Sequence, residues 1–312
     1  MNNPHGWPAA AGLSKFRPLG TILCYDDFDR GWCGWIDLMN NFVLEGHRPR
    51  PSIVEKHRWG PVMLSNANFG YAGTHGSMNG LYSLKLATRA QANPYEQPPA
   101  PGGMSHAIKR LTTPPFGDLG LVQLEMWFAY TPEQDRIGVG EKDIRAFGVL
   151  FDVQDEQHRY FPAVRYLNSM DGQMVRRWQY AQAAAVTDEQ WAYDTKGDWC
   201  RRGIDPQWFG KRHADGSTDG FQWVPEGTEH LCYNESDDKI NWCYLRLTVD
   251  LARREYVELQ SGRNVYDLRG IRPTWADPYK GIDSLLNPVV WIEADTARRV
   301  FLYVDSVVIS AQ

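Results

Sequence analysis

In Leu121–Tyr130, Val122, Leu124, Met126, Phe128 and Tyr130 alternate with Gln123, Glu125 and Trp127. A period of two places successive side chains on opposite faces, so this segment reads as a strand with one apolar and one polar-aromatic face. Phe147, Val149, Phe151 and Val153 repeat the pattern, with Gly148, Leu150 and Asp152 opposite. It returns where Cys243, Leu245, Leu247, Val249 and Leu251 face inward and Trp242, Tyr244, Arg246 and Thr248 face away. Three strands therefore carry outer faces that are not simply apolar.

Further strands are predicted at 80–87, 105–111, 160–167, 174–180, 256–259, 289–294 and 299–309. Between 160–167 and 174–180 the pair Asp171-Gly172 predicts a hairpin, because glycine enters the left-handed region without a Cβ clash. Residues 250–255 read as a second reversal. No long helical period appears, which points to an all-β antiparallel sandwich. Two stretches break the rhythm. The prolines and glycines of 91–103 exclude a regular strand there. Residues 183–230 carry Trp191, Trp199, Trp208 and Trp223, with a short helix predicted at 183–191. This second stretch reads as a Trp-rich loop insertion folded over one rim of the sandwich. The expected organisation is an N-terminal extension, 1–20, and a single sandwich domain, 21–312.

Composition narrows the function classes. A net charge of −5 lacks the basic excess that neutralises phosphates, so no nucleic-acid partner is expected. No window reaches the roughly 18 consecutive apolar residues of a membrane span. No basic start followed by an apolar run marks a secretory leader. The five cysteines, Cys24, Cys33, Cys200, Cys232 and Cys243, are odd in number and lack CxxC spacing, which favours free thiols in a reducing compartment. A cytoplasmic location is expected. Thirteen tryptophans are the compositional anomaly, and they serve either core packing or stacking on sugar faces.

Asp26-Asp27-Phe28 with Gly34-Trp35, the stretch Gly80–Leu86, and Val304-Asp305-Ser306-Val307 together resemble the concanavalin A-like (laminin G-like) jelly rolls. The chain as a whole is also similar to an uncharacterised bacterial family. The resemblance implies a jelly roll whose terminal strands lie side by side. Laminarinase-like hydrolases of that superfamily hold a structural calcium partly through an aspartate of the last strand, a position matched by Asp305. Asp27, near the first strand, is the expected partner ligand for Ca2+. The Glu-x-Asp-x-x-Glu catalytic spacing of those hydrolases does not occur in this chain.

Cleavage of a glycosidic bond ordinarily requires two carboxyl groups flanking it. Glu125 and Asp152, on outward faces of strands that can be neighbours, form the candidate acid–base pair. His75, between small residues in Gly73-Thr74-His75-Gly76, is a third catalytic candidate. For a lyase abstracting a proton beside a carbonyl, His75 or Tyr166 would be the base. Arg165, Arg176 and Arg177 on the central hairpin offer guanidinium forks for hydroxyls or a carboxylate, and Arg246 lies on the outward face with Glu125. Trp127, Trp178, Trp242 and Tyr244 offer stacking platforms. The expected activity is cleavage of a small glycoside. The alternatives are a keto-glycoside lyase and a non-catalytic carbohydrate-binding or structural sandwich. In the structural alternative the aromatic face is covered by the 183–230 insertion or by a second copy of the chain.

Overall fold

The computed structural model describes residues 12–37, 62–66, 76–88, 103–111, 119–132, 140–182, 221–234, 241–276, 281–294, 296 and 298–312. Among them, seventeen strands form two antiparallel sheets. The eight-stranded sheet comprises β1 (Thr21–Asp26), β3 (Val62–Asn66), β4 (Tyr82–Ala87), β6 (Leu121–Pro132), β12 (Cys243–Asp250), β13 (Glu255–Ser261), β14 (Asn264–Asp267) and β17 (Val300–Ala311). The nine-stranded sheet comprises β2 (Trp35–Asp37), β5 (Gly103–Lys109), β7 (Ile144–Gln154), β8 (Arg159–Phe161), β9 (Ala163–Met170), β10 (Gln173–Ala181), β11 (Phe221–Thr228), β15 (Thr274–Ala276) and β16 (Leu285–Ala294). The only helix among the described residues is a 3-10 turn, Glu141–Asp143, and it is too short to cross a membrane.

Neighbouring strands come from distant parts of the chain, with orders β14-β13-β12-β6-β17-β4-β3 and β11-β10-β9-β7-β16-β5-β2. This is an antiparallel jelly-roll sandwich. The expected pairing of the chain ends is observed: β1 runs antiparallel to β17, with Asp26 opposite Val307. Asp171 and Gly172 turn β9 into β10 at φ of 53° and 70°, the left-handed pair that a two-residue hairpin requires. Phe221–Thr228 forms a strand beside β10, so the predicted insertion contributes an edge of the nine-stranded sheet. The helix predicted at 183–191 lies outside the described residues.

The core lies between the sheets. Its inward residues are those the alternation predicts: Val122, Leu124, Met126, Phe128 and Tyr130 from β6, Phe147, Val149, Phe151 and Val153 from β7, and Leu245, Leu247 and Val249 from β12. Phe147 organises an aromatic centre, with ring centroids 4.6 Å from Tyr130, 5.0 Å from Phe128 and 5.4 Å from Tyr166. Burying one such side chain is worth about 1.5–3 kcal/mol. Because each core residue alternates with an outward one, two outer sheet faces remain, and Glu125, Trp127, Asp152, Arg165, Tyr244 and Arg246 lie on them.

Candidate functional site

The outer face of the eight-stranded sheet gathers most of the side chains predicted from sequence. Register places Glu125 opposite Arg246 on β12 and Val308 on β17, and Trp127 opposite Tyr244. The Trp127 and Tyr244 rings lie 5.4 Å apart. The chain's own residues 12–20 occupy the space above them. Glu125 is fully buried and accepts from the Arg17 backbone N–H at 2.7 Å, the Gln123 amide at 3.0 Å and the Tyr244 hydroxyl. Gln123 donates to the Arg17 carbonyl, Trp127 donates to the Lys15 carbonyl, and the Leu19 N–H donates to Ser310 Oγ. Phe16 packs against Tyr244 and Val308. Burial, and then the neighbouring Glu125, push the Tyr244 phenol well above its ordinary pKa, which keeps it a donor. Glu125 is thus the anchor of a main-chain strap. Arg246 pairs with Glu258, and Trp242 packs beside Ala129, Phe301 and Tyr303.

Asp305 marks the point where β17 changes neighbours, pairing with β4 through Phe301–Val304 and with β1 through Val307–Ala311. The ladder to β6 also shifts register there. Its buried carboxylate accepts from Lys15 Nζ at 2.7 Å, Ser77 Oγ at 2.7 Å, the Met78 N–H at 2.8 Å and Ser306 Oγ at 2.9 Å. A calcium ion needs six to eight oxygens that face it as acceptors. Asp305 instead faces donors, one of them a cation. Asp27 accepts from the Asp29 N–H in a turn, and Asp29 accepts from the N–H groups of Leu81 and Tyr82. No group of three His, Cys, Asp or Glu gathers among the described residues. The calcium expectation for Asp27 and Asp305 is therefore corrected, because these side chains do not fit the ion.

Asp152 corrects the paired-carboxylate expectation. It lies on β7, outward from the nine-stranded sheet, and Glu125 lies outward from the other sheet. The core separates them, so they cannot flank one bond. Asp152 is held by Arg159 in a fork of 2.8 and 2.9 Å. Trp178 faces the core, fully buried, and donates to Glu229 at 2.7 Å, so it is no stacking platform. Arg176 sits in a bulge at φ 56° and pairs with Glu141 at 2.7 Å on the rim. The Tyr166 hydroxyl donates to the Glu229 carbonyl, and burial raises its pKa, which removes it as a base. His75 lies outside the described residues.

Arg165 is the predicted residue that the outer face of the nine-stranded sheet keeps. Register aligns His106, Trp291, Gly148, Arg165, Gln179 and Trp223 in one row across β5, β16, β7, β9, β10 and β11. Six strands at about 4.8 Å spacing make a row about 24 Å long. A Cβ on Gly148 would come within 2.7 Å of the Trp291 ring and 2.2 Å of the Val164 carbonyl, so only glycine lets that ring lie over β7. Arg165 donates to Gln179 at 2.8 Å and reaches Glu293 at 3.4 Å. Trp291 donates to the same Glu293 at 2.8 Å, and Arg145 approaches it at 3.3 Å. Two guanidiniums thus share one carboxylate. Arg165 also stacks over Phe221 at 4.0 Å, and Arg177 over Trp223 at 4.7 Å. Burial holds the His106 imidazole well below its ordinary pKa, and hence neutral. The row is buried from His106 through Gln179 and partly exposed at Trp223 alone.

The sequence profile of one family, described as a domain of unknown function, matches residues 7–312. The chain belongs to that family, DUF6772. No curated protein matches the sequence. Among solved structures, this DUF6772 chain is similar to the T. cruzi calreticulin globular domain at 11% identity and TM-score 0.39, over 94% of this chain and 88% of that one. It is similar to alginate lyase Aly36B in complex with alginate trisaccharide at 9% identity and TM-score 0.38, over 80% and 98%. It is also similar to a legume lectin-like domain from Entamoeba histolytica at 7% identity and TM-score 0.36, over 80% and 88%.

In this DUF6772 chain, sequence reasoning picked out Arg177 as a guanidinium fork but missed Glu293, Gln179, Trp291 and the stacking of Arg177 on Trp223. Each sits one place away from a core residue on its own strand, so the alternation marks it as outward. The missing information was which strands are neighbours, since β7 lies between β9 and β16, two strands more than a hundred residues apart in the chain.

Proposed function

We propose that the protein is a saccharide-binding protein that takes its ligand on the outer face of the nine-stranded sheet, entering at Trp223 and Arg177. The observation that carries this reading is the single row joining an imidazole, an indole, a guanidinium, an amide and a partly exposed indole across six strands. Aromatic faces stack on sugar C–H surfaces, and guanidinium and amide groups supply directional donors for hydroxyls or a uronate carboxylate. The opposite outer face is already filled by residues 12–20. The separation of Glu125 from Asp152 favours binding over two-carboxylate hydrolysis as the use of this row.

The test is an array of acidic and neutral oligosaccharides, followed by calorimetry of the best ligand on full-length protein. Removing the partly exposed stacking ring in Trp223→Ala should weaken binding by about tenfold, as loss of roughly 1.4 kcal/mol requires. Trp127→Ala, on the other face, should leave affinity unchanged. Failure of every oligosaccharide to bind, or a loss confined to Trp127→Ala, would overturn the reading.

A further inference from the structure

A cavity of about 330 Å³ opens at one end of the sandwich, lined by His158, Tyr160, Arg253, Arg254, Arg272 and Pro273. Its walls come from three places: β8 with the turn before it, the reversal between β12 and β13, and the segment leading from β14 to β15. A backbone hydrogen bond from the Tyr256 N–H to the Ile271 carbonyl at 3.0 Å ties two of these walls together, and one from the Asp155 N–H to the His158 carbonyl at 2.9 Å closes the turn before β8. The Tyr160 hydroxyl donates to the Leu251 carbonyl at 3.4 Å. The cavity is thus built before any ligand arrives.

Its lining is strongly cationic. Arg254 is held firmly, donating from Nε to Asp155 at 2.7 Å, while its backbone takes the left-handed φ of 56°. Glycine or asparagine would meet that conformation at lower cost, so arginine there is justified by what its side chain does. Arg253 and Arg272 are held loosely, 3.8 Å from Asp250 and 3.7 Å from Glu255, with side chains 77% and 76% exposed. The three carboxylates are absent from the lining. A guanidinium carries five donors, and one carboxylate engages two of them at most in a fork, so each arginine keeps donors for a second anion.

The geometry points to a binding site for a small organic oxyanion, a carboxylate or a phosphate ester, gripped by Arg253, Arg254 and Arg272 with Tyr160 and Pro273 against its carbon skeleton. The volume sits at the lower end of the range for small-molecule pockets, which selects a ligand of about monosaccharide size over a polymer. None of the lining residues belongs to the row on the nine-stranded sheet, so this site stands whether or not that row binds saccharide.

Calorimetry on the full chain at low ionic strength tests it, with glucose 6-phosphate, glucuronate and uncharged glucose as probes. At least one of the two anions should bind and glucose should not; which anion binds more tightly distinguishes a phosphate ester from a carboxylate. The double variant Arg253→Ala/Arg272→Ala, made at exposed positions that leave the Arg254–Asp155 link in place, should weaken the anion by at least about tenfold. Absence of heat with both anions, equal affinity for glucose, or unchanged affinity in a folded double variant would overturn the site.

Discussion

The two outer faces of the sandwich carry similar side chains and use them differently. Above the eight-stranded sheet, Glu125, Gln123 and Trp127 bond to main-chain groups of Lys15 and Arg17. Above the nine-stranded sheet, Arg165, Gln179, Trp291 and Glu293 bond to one another. A side chain that holds backbone is committed to the fold, because its release strands a peptide group without a partner. Side chains that hold each other can exchange those partners for a ligand's polar groups, provided the exchange is hydrogen-bonded throughout. An acid or an aromatic ring on an outer face is therefore not enough to mark a site.

Four substitutions separate the faces, beginning with the largest effect. Glu293→Ala leaves Arg145 and Arg165 buried around a lost carboxylate and should cost about 3–5 kcal/mol in urea unfolding. A loss under about 1 kcal/mol would show that the polar row is not the tightly coupled unit described. Glu125→Ala strands the Arg17 N–H and the Tyr244 hydroxyl and should cost about 2–3 kcal/mol. Oligosaccharide affinity should be unaffected by it; parallel loss of binding would return the site to the strapped face.

His106 sharpens the contrast through pH. Burial lowers its pKa in the folded state, whereas the unfolded imidazole takes up a proton near pH 6.5. The unfolded state then binds more protons at lower pH, so stability falls as pH drops below about 6.5, by up to about 1.4 kcal/mol per unit. His106→Gln should flatten that slope in denaturation measured from pH 7.5 to 5; an unchanged slope would place the sensitivity elsewhere. The smallest effect is expected on the rim. Burial pushes the Asp155 carboxyl up, but Arg254 and the N–H groups of Gln157 and His158 outweigh it and hold the carboxyl below its usual range. Its stabilisation is present above the unfolded value, about pH 3.9, and lost as pH falls through the lower folded value. With both partners partly solvated, Asp155→Asn should cost under about 1 kcal/mol at pH 7 and nothing in strong acid.

Much of the fold was legible because strand periodicity is local. Val122 through Tyr130 alternate inward and outward as read, and Asp171-Gly172 turns where glycine chemistry requires it. The candidate site was legible only in part. Arg165 was identified from its residue type, but Trp178, chosen for the same reason, faces the core, and Arg176 is diverted by a bulge. Glu125 and Asp152 were both correctly placed outward. Which sheet each belongs to depends on pairing partners more than a hundred residues away, such as β17 for β6.

By itself, the sequence determined the all-β character and the inward faces of the principal strands, because these follow from side-chain alternation and turn chemistry within a few residues; the meeting of the two chain ends was implied only by the resemblance to concanavalin A-like jelly rolls. Tertiary structure alone decided that residues 12–20 close one face, that Asp305 takes a lysine and backbone donors rather than a metal, and that Arg165 shares Glu293 with Arg145. Those are contacts between side chains brought together by strand order. Alternation states which way a side chain points, and only the completed sheets state what it meets there.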